Sequence, residues 1–355
     1  MSGVTRAREV DFGGRLIGED HPAFVIAEAG VNHNGDIELG KSLIREAKAA
    51  GADAIKFQSY KAGKISTRTA PRYWVEPDDP DGSQYDTFAK LDSFGAEEHE
   101  ELFRYAKELD LLCFSAPFDD EAVDMLEELG VPGYKIASAD LTDHPLLEKV
   151  AAKGKPVILS TGLATIAEIS DAIDVVRRND NEQIVLLHCT LQYPCDAENA
   201  NLRMMAHMKQ AFPAVPVGLS DHTLGIAVPQ AAVALGAVAV EKHYTVDKTL
   251  PGSPDHHLSV DHHDLKRMME GIRTIEKAMG RYEKGPVEAE SEAYRFARRS
   301  IVSATAIDKG TAITRDMLTF KRPGTGIYPK FVEVVVGRTA SVDIPEDTVV
   351  EWRML

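Results

Sequence analysis

The chain has 355 residues, 44% of them apolar and 27% charged, with a formal net charge of −16. That length suits two domains and the balance suits a soluble globular protein, while the acidic excess excludes a surface built to neutralise many phosphates, so nucleic acid is not an expected partner. No apolar run approaches the ~20 residues of a membrane helix, residues 1–20 lack the apolar core of a signal peptide, and three cysteines (Cys113, Cys189 and Cys195) are too few for a disulfide framework. The expectation is a cytoplasmic protein with no membrane partner.

From residue 23 to about 280, short β-branched runs alternate with amphipathic stretches. The expected strands are 24–29, 54–58, 111–116, 133–137, 156–160, 184–188, 216–220 and 237–243. Apolar residues at helical spacing separate them, as at Leu39, Leu43, Ile44 and Ala47, and again at Leu265, Met268, Met269, Ile272 and Ile275. Eight strands alternating with helices predict an α/β fold of the (β/α)8 barrel type. A doubly wound open sheet fits less well. Its glycine-rich turn belongs after the first strand, where Glu28-Ala29-Gly30-Val31-Asn32-His33 stands instead. The connection from Lys61 to about Ala96 holds Pro71, Tyr73, Trp74, Pro77, Pro80 and Gly82. It is long enough to be a lid or binding loop, or a plain insertion.

Past Gly280 the character changes. The chain divides into a barrel over residues 1–283, a polar linker over 284–297 and a β-rich module over 298–355, with strands expected at 300–304, 318–322, 334–338 and 349–352. So short a module buries little alone and is expected to pack on the barrel or on another subunit.

Catalytic groups of a barrel stand at the C-terminal strand ends, and every expected strand delivers one there. In order they are Glu28; Lys56 with Gln58; Ser115; Lys135 with Ser138 and Asp140; Ser160; His188 with Cys189; Ser220 with His222; and Glu241 with His243. A lysine alone in such a place is an ordinary surface charge. Two of them, interior in period and accompanied by serines, predict a pocket for an anionic substrate. Buried cations need counter-charge, and a phosphate or carboxylate supplies it. A single strand-end histidine is more often structural, yet His222 and His243 on neighbouring strands are spaced to hold one divalent ion, with water completing its shell. His188 reads as support behind them. Asp261 reads as a helix N-cap, which leaves His262 and His263 as solvated residues.

These residues sit in blocks that together resemble the sialic acid synthase (nonulosonate synthase) family. The blocks are IAEAGVNHNGD (26–36), IKFQSYKAGK (55–64), FSAPFD (114–119), YKIASAD (134–140), ILSTGLAT (158–165), LHCTLQYPC (187–195), GLSDHT (218–223), EKHYTVDKTLPGSPDHHLS (241–259), RRSIV (298–302) and KRPGTGI (321–327). The resemblance implies a TIM barrel followed by a small antifreeze-like (SAF) domain. It implies condensation of phosphoenolpyruvate with N-acetylmannosamine or a related N-acylated hexosamine aldehyde, and a requirement for Mn2+ or Mg2+. It also implies a domain-swapped homodimer. Position by position, Lys56, Gln58, Ser115, Lys135, Ser138, Ser160 and Ser220 resemble the phosphoenolpyruvate shell, and His222 and His243 the metal ligands. Glu28, Tyr193 and Asp255 resemble the sugar-contacting set, and Phe296 with Arg322 the pair contributed by the small domain. Glu28, Lys56, Lys135 and Asp140 are the expected catalytic groups, Asp140 standing where the family frequently has Glu. A legionaminate- or pseudaminate-type substrate, a 2,4-diacetamido-trideoxyhexose, is the alternative. Two other readings compete: a pyruvate aldolase using Lys135 as a Schiff-base amine, and a non-catalytic carbohydrate- or ice-binding protein, which gives no reason for eight chemically equipped strand ends.

Overall fold

Eight β-branched runs become eight parallel strands because helices on the outside and side chains on the inside bury both faces. They are β3 (Phe24–Gly30), β4 (Ala54–Ser59), β5 (Leu112–Pro117), β6 (Tyr134–Ile136), β7 (Val157–Ser160), β8 (Ile184–Cys189), β9 (Val217–Asp221) and β10 (Ala239–His243). Ahead of them, β1 (Val10–Phe12) and β2 (Arg15–Ile17) form an antiparallel hairpin. In this computed structural model, described for residues 9–74 and 81–355, the barrel strands run in the order β5-β4-β3-β10-β9-β8-β7-β6, with β5 beside β6 at the seam. The sheet is a nearly closed barrel of TIM type. The chain divides into two compact units, Met1–Gly280 and Arg281–Leu355.

The hairpin is the element the sequence did not announce. Its three-residue strands are too short for a visible alternation, but Val10, Phe12 and Ile17 are fully buried. The Phe12 ring meets Phe24 at 5.6 Å and Phe114 at 4.8 Å, centroid to centroid, so it plugs the N-terminal mouth of the barrel. A Cβ at Gly133 would lie 2.4 Å from that ring, which is why the chain there has none.

The helices follow their spacing. Over Ile37–Ala50 the Asp36 carboxylate caps the first turn by accepting from the Glu38 and Leu39 N–H groups, Gly51 closes the last turn at φ 90°, and Leu43, Ile44 and Ala47 are buried. Truncating Leu43 would cost about 2–5 kcal/mol, the usual range for an emptied core site. Asp261 caps His262–Met279 by accepting from the Asp264 N–H at 2.9 Å. The connection after β4 is not bare loop. It carries the helices Ala62–Ile65 and Gln84–Leu91, the latter started by a Ser83/Asp86 capping box; Pro77 and Pro80 lie outside the described residues.

In the second unit β11 (Ser300–Ser303) and β12 (Leu318–Lys321) pair antiparallel over a core of Ile301, Ile307, Ile313, Leu318, Ile327, Val335, Ile344 and Val350. Two expected strands are corrected. Residues Val332–Val335 make one helical turn that buries Val335 and leaves Val334 exposed. Gly337 and Arg338 of the expected strand pair instead with Ile313, the Gly337 N–H donating to the Ile313 carbonyl at 2.8 Å and the Ile313 N–H to the Arg338 carbonyl at 2.9 Å. Val349 makes only an isolated bridge to Val302. Among the described residues no helix is long and apolar enough to cross a membrane, and all three cysteines are free thiols.

Candidate active site

Side chains alternate across a strand, and register carries that alternation round the barrel. Glu28 pairs with Lys56 and with His243, Glu241 with Ser220, and Lys135 with Ile158, two residues before Ser160. All these groups therefore face inward, at the C-terminal end of the strands. They line one cavity of about 1080 Å³, counting its open part. Gln58, Ser138, Tyr193, His222 and Asp255 line it as well, and Tyr60, Trp74, Phe88 and Phe118 form an aromatic wall.

At the floor, four buried charges neutralise one another. Lys56 Nζ lies 2.6 Å from Glu28 Oε2 and 3.8 Å from Glu241 Oε2. Lys135 Nζ lies 3.6 Å from Glu241 Oε1 and donates to the Ile136 carbonyl at 3.0 Å. Ser220 Oγ donates to Glu241 at 2.9 Å, and Gln58 Nε2 donates to Glu28 at 2.9 Å. Burial pushes the Glu28 carboxyl up to about 7, Glu241 adding to the rise and Lys56 opposing it. Burial pulls Lys135 below the usual ammonium range in spite of Glu241. It also pulls on Lys56, but Glu241 and Glu28 outweigh it and hold that ammonium above its ordinary value. Ser160 Oγ is buried without a protein partner, and Ser138 Oγ accepts from the Gly162 N–H at 3.0 Å.

Beside this floor stand the two imidazoles, ring centroids 5.2 Å apart. His222 Nδ1 is 2.8 Å from the Thr190 carbonyl oxygen, which leaves Nε2 as its remaining ring nitrogen. His243 Nδ1 is buried without a hydrogen-bond partner, 3.6 Å from Asp255 Oδ2. Burial, helped by His222, Lys56, Lys242 and Lys135, holds the His243 imidazole well below its usual range and therefore neutral. An orphaned neutral nitrogen next to a second imidazole fits a divalent ion with positions open to water or substrate. No group of three or more His, Cys, Asp or Glu side chains among the described residues is arranged as a metal site. An ion at this place would rest on two protein ligands.

Two expected site residues of the barrel, Ser115 and Asp140, stand elsewhere. Ser115 pairs in register with Phe57 and shares its outward side; its hydroxyl is 2.7 Å from that of Ser59, which in turn meets His99 Nε2 at 2.8 Å. Inward at that strand end are Ala116 and Gln58 instead. The expectation that Ser115 joins the anion shell is corrected by one step of strand parity. Asp140 does not line the cavity. It ends the short turn Ser138–Asp140 with one oxygen buried and unpartnered, and burial, then Asp143, pushes its carboxyl up to about 7 against the pull of Lys135. His188 also faces outward and bonds the Ala200 carbonyl oxygen at 2.8 Å. Phe296 and Arg322 belong to the second unit, where both are exposed.

Reading strand ends one at a time names Glu241 but gives no role to this carboxylate, which holds both lysines and Ser220. Its parity with His243, two residues on, is the signal that marks it. Lys242, of the opposite parity, is buried in the wall and bound to Asp221 at 2.7 Å and to the Thr223 carbonyl oxygen.

Comparison with known proteins adds the rest. The profile of the NeuB family matches residues 43–284, and that of the SAF domain residues 298–355. The chain is 40% identical over 341 residues to N,N'-diacetyllegionaminic acid synthase of Legionella pneumophila, covering 94% of this chain and 95% of that protein. It is 36% identical to human N-acetylneuraminate-9-phosphate synthase, covering 94% and 93%. A solved structure of N-acetylneuraminic acid (sialic acid) synthetase from Leptospira borgpetersenii, in complex with citrate, superposes with a TM-score of 0.72 at 36% identity, covering 81% of this chain and 95% of that one.

Proposed function

Because this chain belongs to the NeuB family and ends in a SAF domain, we propose that it condenses phosphoenolpyruvate with an N-acylated hexosamine aldehyde to give a nonulosonic acid and phosphate. The observation that carries this reading is the floor of the cavity: two buried lysines, held by Glu28 and Glu241, directly beside two imidazoles.

Phosphoenolpyruvate is a small polyanion. Lys56 and Lys135 neutralise it, and the hydroxyls of Ser138, Ser160 and Ser220 orient its phosphate and carboxylate, Ser160 being the one with no prior partner. The enol π pair at C3 forms the new bond to the aldehyde carbon, and the aldehyde oxygen takes up the charge and then a proton. His222 and His243 would hold a divalent ion there, and its chemistry when bound would be Lewis-acid polarisation of that oxygen. Positive charge left at C2 faces the carboxylates of Glu28 and Glu241. Water adds there and loses its proton. Glu28, with its carboxyl near 7 and its other oxygen held by Gln58, is suited to take it. The tetrahedral adduct then breaks its C–O bond, expelling phosphate and leaving the 2-keto acid. Tyr193 and Asp255, on the imidazole side, face the sugar. Phe296 and Arg322 are proposed to act on the barrel of a second subunit. Mixing inactive Arg322→Ala with inactive Lys135→Met then restores activity towards a quarter of wild type, while proven heterodimers without recovery would refute it.

The test is phosphoenolpyruvate-dependent phosphate release with N-acetylmannosamine, its 6-phosphate and a 2,4-diacetamido-2,4,6-trideoxyhexose. Release with at least one sugar, and a nine-carbon keto acid in stoichiometric yield, is expected. No phosphate release with any of them would overturn the proposal. The lowered ammonium range of Lys135 favours one rival, a Schiff base with pyruvate. Borohydride reduction with labelled pyruvate should leave the protein unlabelled, whereas label on Lys135 would favour the lyase.

A further inference from the structure

The first βα turn carries Asn32-His33-Asn34-Gly35, and none of these side chains enters the reaction proposed above. Two of them are spent on one distant segment, the loop that follows β10. Asn32 Nδ2 donates to the Tyr244 carbonyl oxygen at 2.8 Å and to Ser259 Oγ at 3.2 Å, at the base of that loop, where Tyr244 and Val260 form a bridge. Asn34 takes hold of its tip. Its Nδ2 donates to the Pro251 carbonyl oxygen at 2.8 Å, and its Oδ1 accepts from the Ser253 N–H at 2.9 Å and lies 3.3 Å from His256 Nε2. The other nitrogen of His256 is engaged by Thr245 Oγ1 at 2.8 Å.

The fit is specific in shape as well as in bonding. Gly252 has φ +102°, and a Cβ there would lie 2.7 Å from Asn34 Oδ1, so the amide occupies the space that glycine leaves. Asn34 itself stands at φ 50°, a conformation that asparagine tolerates better than most residues. Between the two pinned ends lies Asp255, whose N–H donates to Ser253 Oγ and whose carboxylate lines the cavity 3.6 Å from His243. Pro254 and His257 of the same loop line the cavity beside it, but Asp255 is the carboxylate that the loop sets against His243.

We infer that Asn34 is a positioning residue for the sugar end of the reaction, a latch that sets Asp255 against the cavity by gripping Pro251, Ser253 and His256. This rests on Asp255 facing the sugar, as proposed above. Phosphoenolpyruvate, at the lysines, lies outside its reach. Losing the latch must therefore separate the two substrates kinetically.

The experiment compares Asn34→Gly, which keeps the positive φ and removes the amide, with Gly252→Ala, which intrudes on it. Both should raise the sugar KM about tenfold and leave the phosphoenolpyruvate KM within twofold, with Asn34→Asp intermediate because it keeps the acceptor for Ser253. Combined with Asp255→Ala, Asn34→Gly should add less than twofold, since both act through one carboxylate. Hydrogen exchange of the wild type and Asn34→Gly supplies a readout free of turnover: amides of 250–257 should exchange at least tenfold faster in the variant, those of the barrel strands equally. Full additivity with Asp255→Ala, or a matched rise in both KM values, would overturn the inference. So would unchanged exchange over 250–257, even if no sugar proved to be a substrate; turnover failure with faster exchange would refute the reaction and leave the latch standing.

Discussion

Glu241→Gln is the sharpest single probe of the cavity floor, because Gln keeps the acceptor for Ser220 and removes one negative charge. Glu241 faces Lys135 at 3.6 Å and Lys56 at 3.8 Å. At an effective dielectric of about 20, either distance corresponds to about 4–5 kcal/mol of gross attraction. Glu28 remains for Lys56, so the uncompensated cation is Lys135, and removing one partner of a buried pair typically costs ~3–5 kcal/mol net. For a domain of this size that is a fall in Tm on the order of 5–9 °C. An anion should then be worth more to the variant than to the wild type, since a carboxylate that repels it is gone.

The assay is a thermal melt with and without phosphoenolpyruvate, beside a calorimetric titration. We expect a lower apo Tm, a larger upward shift at equal phosphoenolpyruvate concentration, a smaller Kd and a lower turnover. Ligand at 100 times its Kd adds about 2.7 kcal/mol, so the two melts should converge as the ligand saturates. Glu241→Gln combined with Lys135→Met should be more stable than Glu241→Gln alone, because it removes the orphaned cation as well. A Tm within 2 °C of wild type, or a Kd raised tenfold, would show that Glu241 holds the substrate rather than the lysines.

Three other outcomes follow from the same geometry. Lys56→Met or Lys135→Met keeps the buried stem and loses a charge-assisted contact of roughly 1.5–3 kcal/mol, so phosphoenolpyruvate affinity should fall about ten- to a hundredfold; unchanged titrations for both would place the anion elsewhere. Exhaustive chelation should abolish turnover and Mn2+ or Mg2+ restore it, while His222→Ala and His243→Ala should each lose turnover and Mn2+ binding without unfolding; full activity of either after chelation would remove the metal from the scheme. If Glu28 must be ionised to take the proton from water, kcat/KM falls as pH drops through about 7. Glu28→Gln should abolish that limb, and a variant retaining it would assign the titration to another group.

The barrel was legible because its signal is repetitive. Each strand is a β-branched run flanked by a helix with an apolar stripe, and boundaries shifted by only a residue or two, as from 111–116 to Leu112–Pro117. Elements whose order depends on remote partners were not legible. The β1–β2 hairpin is fixed by Phe24 and Phe114, and the turn at Val332–Val335 by the core of its own unit. Neither has a local period to read.

Within the site the difference between legible and illegible is a single step along a strand. Sequence places a serine, a histidine or a carboxylate near a strand end, but pleat parity decides whether it meets substrate or helix. Ser115 and His188 fall on the outward side, while Ala116 and Cys189, their neighbours, face inward. The same rule gives the pairs Asp221-His222 and Lys242-His243 a double use. Their histidines point into the cavity from β9 and β10, and the intervening residues, turned outward, join the two strands through the fully buried Lys242–Asp221 ion pair. Such a pair is costly to bury and adds little stability by itself. Its place, one residue behind each imidazole, makes it a clamp on the backbone that carries them. Separating His222 from His243 means breaking that contact as well, so the imidazole spacing is set before any ion or substrate arrives.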